Sequence, residues 1–192
     1  MSSVENVISY WLEEVGPQKW YLQDDALDAE IRERFLPLWE KAREGRLNRW
    51  PSCPTGALAF LIMTDQFPRN MFRNDARAFA TDDLARKVAA RACHLGFDRQ
   101  IDEPARQFFY LPLMHSESQM DQDRCVRMML LRMPETGQFS LLHARAHRAV
   151  IRAFGRFPYR NEALGRETTD KEQAFLDSGG YGAIVEELQQ AA

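Results

Sequence analysis

The sequence predicts an all-α fold of consecutive antiparallel helical hairpins, forming one domain over residues 1–192. Three observations carry that prediction. Apolar residues recur at the i, i+3, i+4, i+7 spacing of a helix with one buried face. The periodic segments start on Ser, Thr or Asp and stop at Gly or Pro, as helix ends do. No run alternates apolar and polar residues between turn signals, so no strand is expected. A chain of 192 residues also suits one core, burying about 70% of the surface that its unfolded form exposes.

The elements follow in order. Val4, Val7, Ile8, Trp11, Leu12 and Val15 line one face of a first helix, after a Ser2-to-Glu5 capping-box spacing and before Gly16-Pro17. Asp24 or Asp25 opens a second helix carrying Leu27, Ile31, Phe35, Leu38 and Trp39 to about Gly45, kinked at Pro37. Residues 47–54 contain two prolines and read as a loop. Thr55 caps a helix running to Asp65, and Thr81 caps another with Leu84, Val88, Ala92 and Leu95 on one face before Gly96. Pro104 is placed as the first residue of a helix ending near Met114. Further helices are expected over 118–133, 140–154 and 170–176, the last with Thr169 and Glu172 at capping-box spacing, and over 184–188.

Composition excludes several functions. Net charge is −3 and the pI about 5.9, so bulk electrostatics favour neither nucleic acid nor an anionic membrane surface. No apolar run approaches the ~18 residues of a membrane span. The N-terminus has no basic segment followed by an apolar core, and Cys53, Cys93 and Cys125 are odd in number and far apart. They read as small buried hydrophobes, and the chain as cytoplasmic. No Gly-x-Gly-x-x-Gly or P-loop is present, so no nucleotide cofactor is expected, and nothing specifies an oligomer.

Function is sought where polar groups meet buried helices. Residues 58–63 and 108–114 are apolar on every side and belong in the middle of the fold. The first runs into Thr64-Asp65-Gln66, the second into His115-Ser116-Glu117. Carboxylates there need buried partners, and Arg69, Arg73, His115 and Arg156 are the candidates. The stretches 64–70 and 155–161 share a Phe-Pro junction followed by Arg and Asn, read as a helix stop. Asn70 and Asn161 would then satisfy open backbone groups. In the helix at 140–154, Leu141, Leu142, Ala146, Ala149, Val150 and Ala153 form the apolar stripe. His143 and His147 share another face, and Arg148, Arg152 and Arg156 follow one another at i, i+4. That arginine row has two readings, a lining for an anion site or a solvated face paired with the acidic helix at 118–133, and the second is preferred.

The segments Asp65-Gln66-Phe67-Pro68-Arg69-Asn70-Met71-Phe72-Arg73 and Tyr110-Leu111-Pro112-Leu113-Met114-His115-Ser116-Glu117 resemble those of a known bacterial family. So do His147, Phe154 to Asn161, and Leu164-Gly165-Arg166, with Val7 to Trp11 fitting the family's opening. It is the uncharacterised family catalogued as domain of unknown function 924, and the resemblance covers nearly the whole chain. It implies a tetratricopeptide-like, right-handed helical array and no established activity. Tyr159 departs from the family, which often has histidine there.

Enzyme and binding readings compete. His143 and His147 have zinc-peptidase spacing, but position 144 is Ala where the general base would sit. His115-Ser116-Glu117 has the His-x-Glu spacing of zinc deaminases without their Pro-Cys-x-x-Cys. A non-classical metal site from Asp65, His115, Glu117 and His147 requires three helix ends to converge. Ser116 lacks an oxyanion loop and reads as the N-cap of the following helix. The favoured reading is a binding module with a polar pocket for an anionic small molecule or acidic peptide. Gln66, Arg69, Asn70, Arg73, His147, Arg156, Arg160 and Asn161 would line it, with Arg166 a further candidate. Asp65, His115 and Glu117 would orient them. In the alternative, a hydrolase, His115 is the acid/base with Asp65 or Glu117 as its partner.

Overall fold

The computed structural model describes residues 3–191, and the Ser2 cap lies outside them. The described residues contain helices and no strand. The chain divides into two compact units, residues 1–112 and 113–192.

The first unit begins with α1 (Ser3–Ser9), which continues as a π-helical turn over Tyr10–Val15 and stops at Gly16. Next comes α2 (Asp25–Arg43), with Pro37 inside it and Asp24 accepting from the Ala26 and Leu27 amides. The predicted loop at 47–54 contains a short 3-10 turn, Trp50–Ser52. Cys53, not Thr55, is the N-cap of α3 (Pro54–Leu61), because Pro54 takes the first helical position, where its missing N–H costs nothing. Cys53 is exposed, contrary to expectation, whereas Cys93 and Cys125 are buried.

The predicted stop at Phe67-Pro68 does not occur. After α3 the backbone passes through a π-helical turn, Ile62–Gln66, directly into α4 (Phe67–Met71). The Phe67 amide closes that turn on the Ile62 carbonyl, five residues back, so the wide turn falls where Pro68 cannot donate. Every residue from Gly56 to Pro68 is buried, so the all-round apolar segment is central, as its composition predicts. Gly56 admits Trp50: a Cβ there would stand 2.1 Å from the Trp50 carbonyl oxygen.

Aromatic rings fill the core of this unit. Phe67 packs edge-on against Trp11 at 5.4 Å and against Phe35 at 4.8 Å, while Trp20 packs on Phe108 at 4.8 Å. Thr81 precedes α5 (Asp82–His94) but makes no cap bond. Its hydroxyl donates to the Thr64 carbonyl at 2.6 Å and accepts from Trp39 Nε1 at 3.2 Å. The buried face of α5 is Ala85, Ala89, Ala92 and Cys93; of the predicted face only Ala92 is buried, with Leu84 and Val88 half-buried and Leu95 exposed. Pro104 precedes a 3-10 turn, Ala105–Phe109, which leads into α6 (Leu111–Met114) at the boundary of the two units.

The second unit contains α7 (Gln119–Arg132), α8 (Gln138–Phe154), α9 (Asp170–Asp177) and α10 (Gly180–Gln190). Ser118, not Ser116, precedes α7; the Ser116 hydroxyl bonds Asp121 at 2.7 Å instead. Here α8 ends at Phe154, one residue before Gly155, which adopts φ 71° and donates to Ile151. The two Phe-Pro junctions therefore differ: a left-handed glycine, not the proline, stops the second helix. The buried stripe of α8 is Ser140, Ala144, Ala146, Val150 and Ile151, rotated from the predicted one, with Ala153 exposed. Its core centres on Val150, Ile151 and Phe157 against Phe154, Phe175, Tyr181 and Ile184. The capping box of α9 forms as predicted, Thr169 and Glu172 bonding reciprocally.

Candidate functional site

The π-helical turn carries Asp65 and Gln66 into the interior of the first unit, where they are 2% and 7% exposed. Arg69, one turn on, donates to the Asp65 carbonyl at 2.6 Å and lies 3.2 Å from its carboxylate. It also forks onto both oxygens of Asp82 at 2.9 Å. Asp28, on α2, takes two bonds from the Arg73 guanidinium and one at 2.8 Å from Asn70 Nδ2. Asn70 Oδ1 in turn accepts from Gln66 Nε2 at 3.0 Å. A carboxylate and two amides are thus joined in a line beside two arginines.

Four of these residues, Gln66, Arg69, Asn70 and Arg73, line a cavity of about 180 Å³ together with Trp20, Tyr21 and Leu22. The space is partly open to solvent. One wall is apolar, from Trp20 and Leu22. Tyr21 is 48% exposed, yet its hydroxyl donates to Gln107 at 2.5 Å. Desolvation of that hydroxyl, and then the Asp65 carboxylate, push its pKa upward. Trp20, Tyr21 and Leu22 lie in a short turn between helices; an aromatic-apolar triplet just before a capped helix was the one available signal for them.

The other predicted residues lie in the second unit. Glu117 accepts from the Phe157 amide at 2.9 Å and from Arg166 at 2.9 and 3.0 Å, which ties the segment after α8 to the start of α7. Arg156 forks onto Glu172 at 2.6 and 2.7 Å and reaches the Glu167 carbonyl. Asn161 donates to Thr168 and Glu172, not to the backbone after the proline. Arg160 lies over the Phe157 ring at 4.4 Å. Arg148 and Arg152 both approach Asp123 of α7, as predicted, but Arg156, the third of the row, turns to Glu172 of α9 instead.

His115 and His147 come together, their ring centroids 6.1 Å apart. His147 Nδ1 donates to the His143 carbonyl at 2.8 Å, since a carbonyl can only accept, and this places its proton on Nδ1. The Tyr181 hydroxyl lies 2.6 Å from His143 Nδ1 and 3.1 Å from His147 Nδ1. Burial first, then the neighbouring His115, pulls the His147 pKa down to about 3, so the ring is neutral at ordinary pH. Tyr159 stacks on Phe157 at 5.4 Å, centroid to centroid. Among the described residues no group of three or more His, Cys, Asp or Glu side chains is arranged to hold a metal ion. Of the four supposed ligands, Asp65 belongs to the first unit and His115, Glu117 and His147 to the second, where Arg166 engages Glu117.

Residues 7–180 match the family described as bacterial protein of unknown function, DUF924. The chain belongs to that family. A solved structure, of a protein of unknown function from Agrobacterium tumefaciens, is 38% identical, with a TM-score of 0.84. The similarity covers 91% of this chain and 97% of that one. No curated protein sequence matches this one. The DUF924 match spans both the Asp65–Arg73 segment around the cavity and the Arg156–Arg166 segment around Glu172. No helix among the described residues is long and apolar enough to cross a membrane.

Proposed function

We propose that this DUF924 protein is a cytoplasmic binding module of tetratricopeptide-like helical hairpins, with a small anionic metabolite as its ligand. The observation that carries the reading is the cavity in the first unit. Gln66, Arg69, Asn70 and Arg73, picked out by their place after a buried helix, line that one space. Arg73 is the open cation. Its Nε and Nη2 are held by Asp28, its Nη1 has no partner among the described residues, and its side chain is 35% exposed. A guanidinium fixed on one edge and open on the other is prepared to take a carboxylate without losing side-chain entropy.

Arg156 and Asn161 have less claim to a ligand, because Glu172 already occupies them. The hydrolase reading, with His115 as acid/base, also has less support. Both oxygens of Glu117 are bonded to Phe157 and Arg166. The test is a thermal-shift screen of small carboxylates, phosphorylated metabolites and divalent metals, with Arg73→Ala as control. A ligand at 100 times its dissociation constant adds ~2.7 kcal/mol, and each kcal/mol raises the midpoint of a chain this size by ~2–4 °C. An anion hit lost in Arg73→Ala is expected. A chelator-sensitive metal hit with no anion response would overturn the reading.

A further inference from the structure

The hydrogen bonds around the cavity have a fixed direction. Asp28 can only accept, so Asn70 must turn its Nδ2 toward it, and this aims Asn70 Oδ1 at Gln66. Gln66 must then offer Nε2 to Asn70. Its remaining atom, Oε1, is left as a bare acceptor with no donor among the described residues. Gln66 is 93% buried and lines the cavity. Oε1 itself is open to the cavity, where a water or a ligand donor can meet it. The cavity thus presents two unmet groups of opposite kind, the Gln66 Oε1 acceptor and the outer Nη1 donor of Arg73.

We infer that the cavity takes a small zwitterion of the free amino acid type: its carboxylate on Arg73, its ammonium donating to Gln66 Oε1, and its apolar side chain against Trp20 and Leu22. This rests on the reading that the cavity binds a small anion.

Calorimetric titration of the full chain tests it. Each apolar L-amino acid from alanine to phenylalanine is compared with the carboxylic acid lacking its amino group and the amine lacking its carboxylate. At least one amino acid should bind, with both of its truncated relatives at least tenfold weaker. Gln66→Met, close to isosteric but without the acceptor, should abolish the preference for the amino acid over its des-amino acid. Equal binding of an amino acid and its des-amino acid would overturn the zwitterion assignment and leave the anion site standing. If no amino acid binds, the zwitterion assignment falls, and the anion reading is decided by the phosphorylated metabolites of the thermal-shift screen. Should Gln66→Met fail to fold, the comparison on the unaltered chain still decides.

Discussion

Residues that look alike in the sequence have different duties in the structure. Arg73 keeps a free edge, while Arg156 is closed on Glu172 by a two-point fork. That fork has a pH signature. The Arg156 bonds, and then the Thr169 backbone amide, hold the Glu172 pKa down to about 2. A depressed carboxylate contributes stability that is present above its unfolded value of 4.5 and lost as pH falls toward 2. The melting temperature should therefore fall from about pH 5 downward, and Glu172→Gln should flatten that slope; thermal unfolding against pH reads both. His147 gives a second check. With its pKa near 3 and His115, His143, Arg160 and Tyr181 around it, it should stay neutral. Histidine NMR shifts between pH 5 and 8 should show no His147 titration.

At the scale of the element, the two Phe-Pro-Arg-Asn stretches show how one motif can be built in two ways. In the first, a π-helical turn carries the helix across Pro68 and turns Asp65 and Gln66 inward. In the second, Gly155 at φ 71° ends α8 before the proline is reached. Gly155→Ala should cost ~1–2 kcal/mol, the strain of a left-handed residue bearing a Cβ. Gly56→Ala should cost more than Gly155→Ala, since its Cβ would overlap the Trp50 carbonyl, and backbone yields less readily than a side chain. Urea unfolding of the two variants beside the parent chain measures the order.

Over the whole molecule the tryptophans give a selective probe. Trp11, Trp20, Trp39 and Trp50 all belong to residues 1–112, and Trp20 lines the cavity. A ligand there should change the tryptophan emission, and Trp20→Phe should remove most of that change. The single-domain reading of the chain predicts that tryptophan fluorescence and far-UV circular dichroism report one coincident unfolding transition. Two separate transitions would give residues 1–112 and 113–192 independent stabilities.

The sequence alone determined the helices and the central segments, because helical periodicity and the all-round apolarity of 58–63 are local properties of the chain. It also marked Gln66, Arg69, Asn70 and Arg73 as a group, since a polar run after a buried helix must be placed near the interior. Only the tertiary structure decided what each group meets. Whether a guanidinium is spent on an internal carboxylate, as Arg156 is on Glu172, depends on residues 16 positions away. For Arg73 the partner is Asp28, 45 positions away. The rotation of the buried stripes on α5 and α8, and the use of Thr81 as a bridge, follow from how closely neighbouring helices approach. The open acceptor of Gln66 has the same origin: its direction is set by Asp28, a charge on another helix.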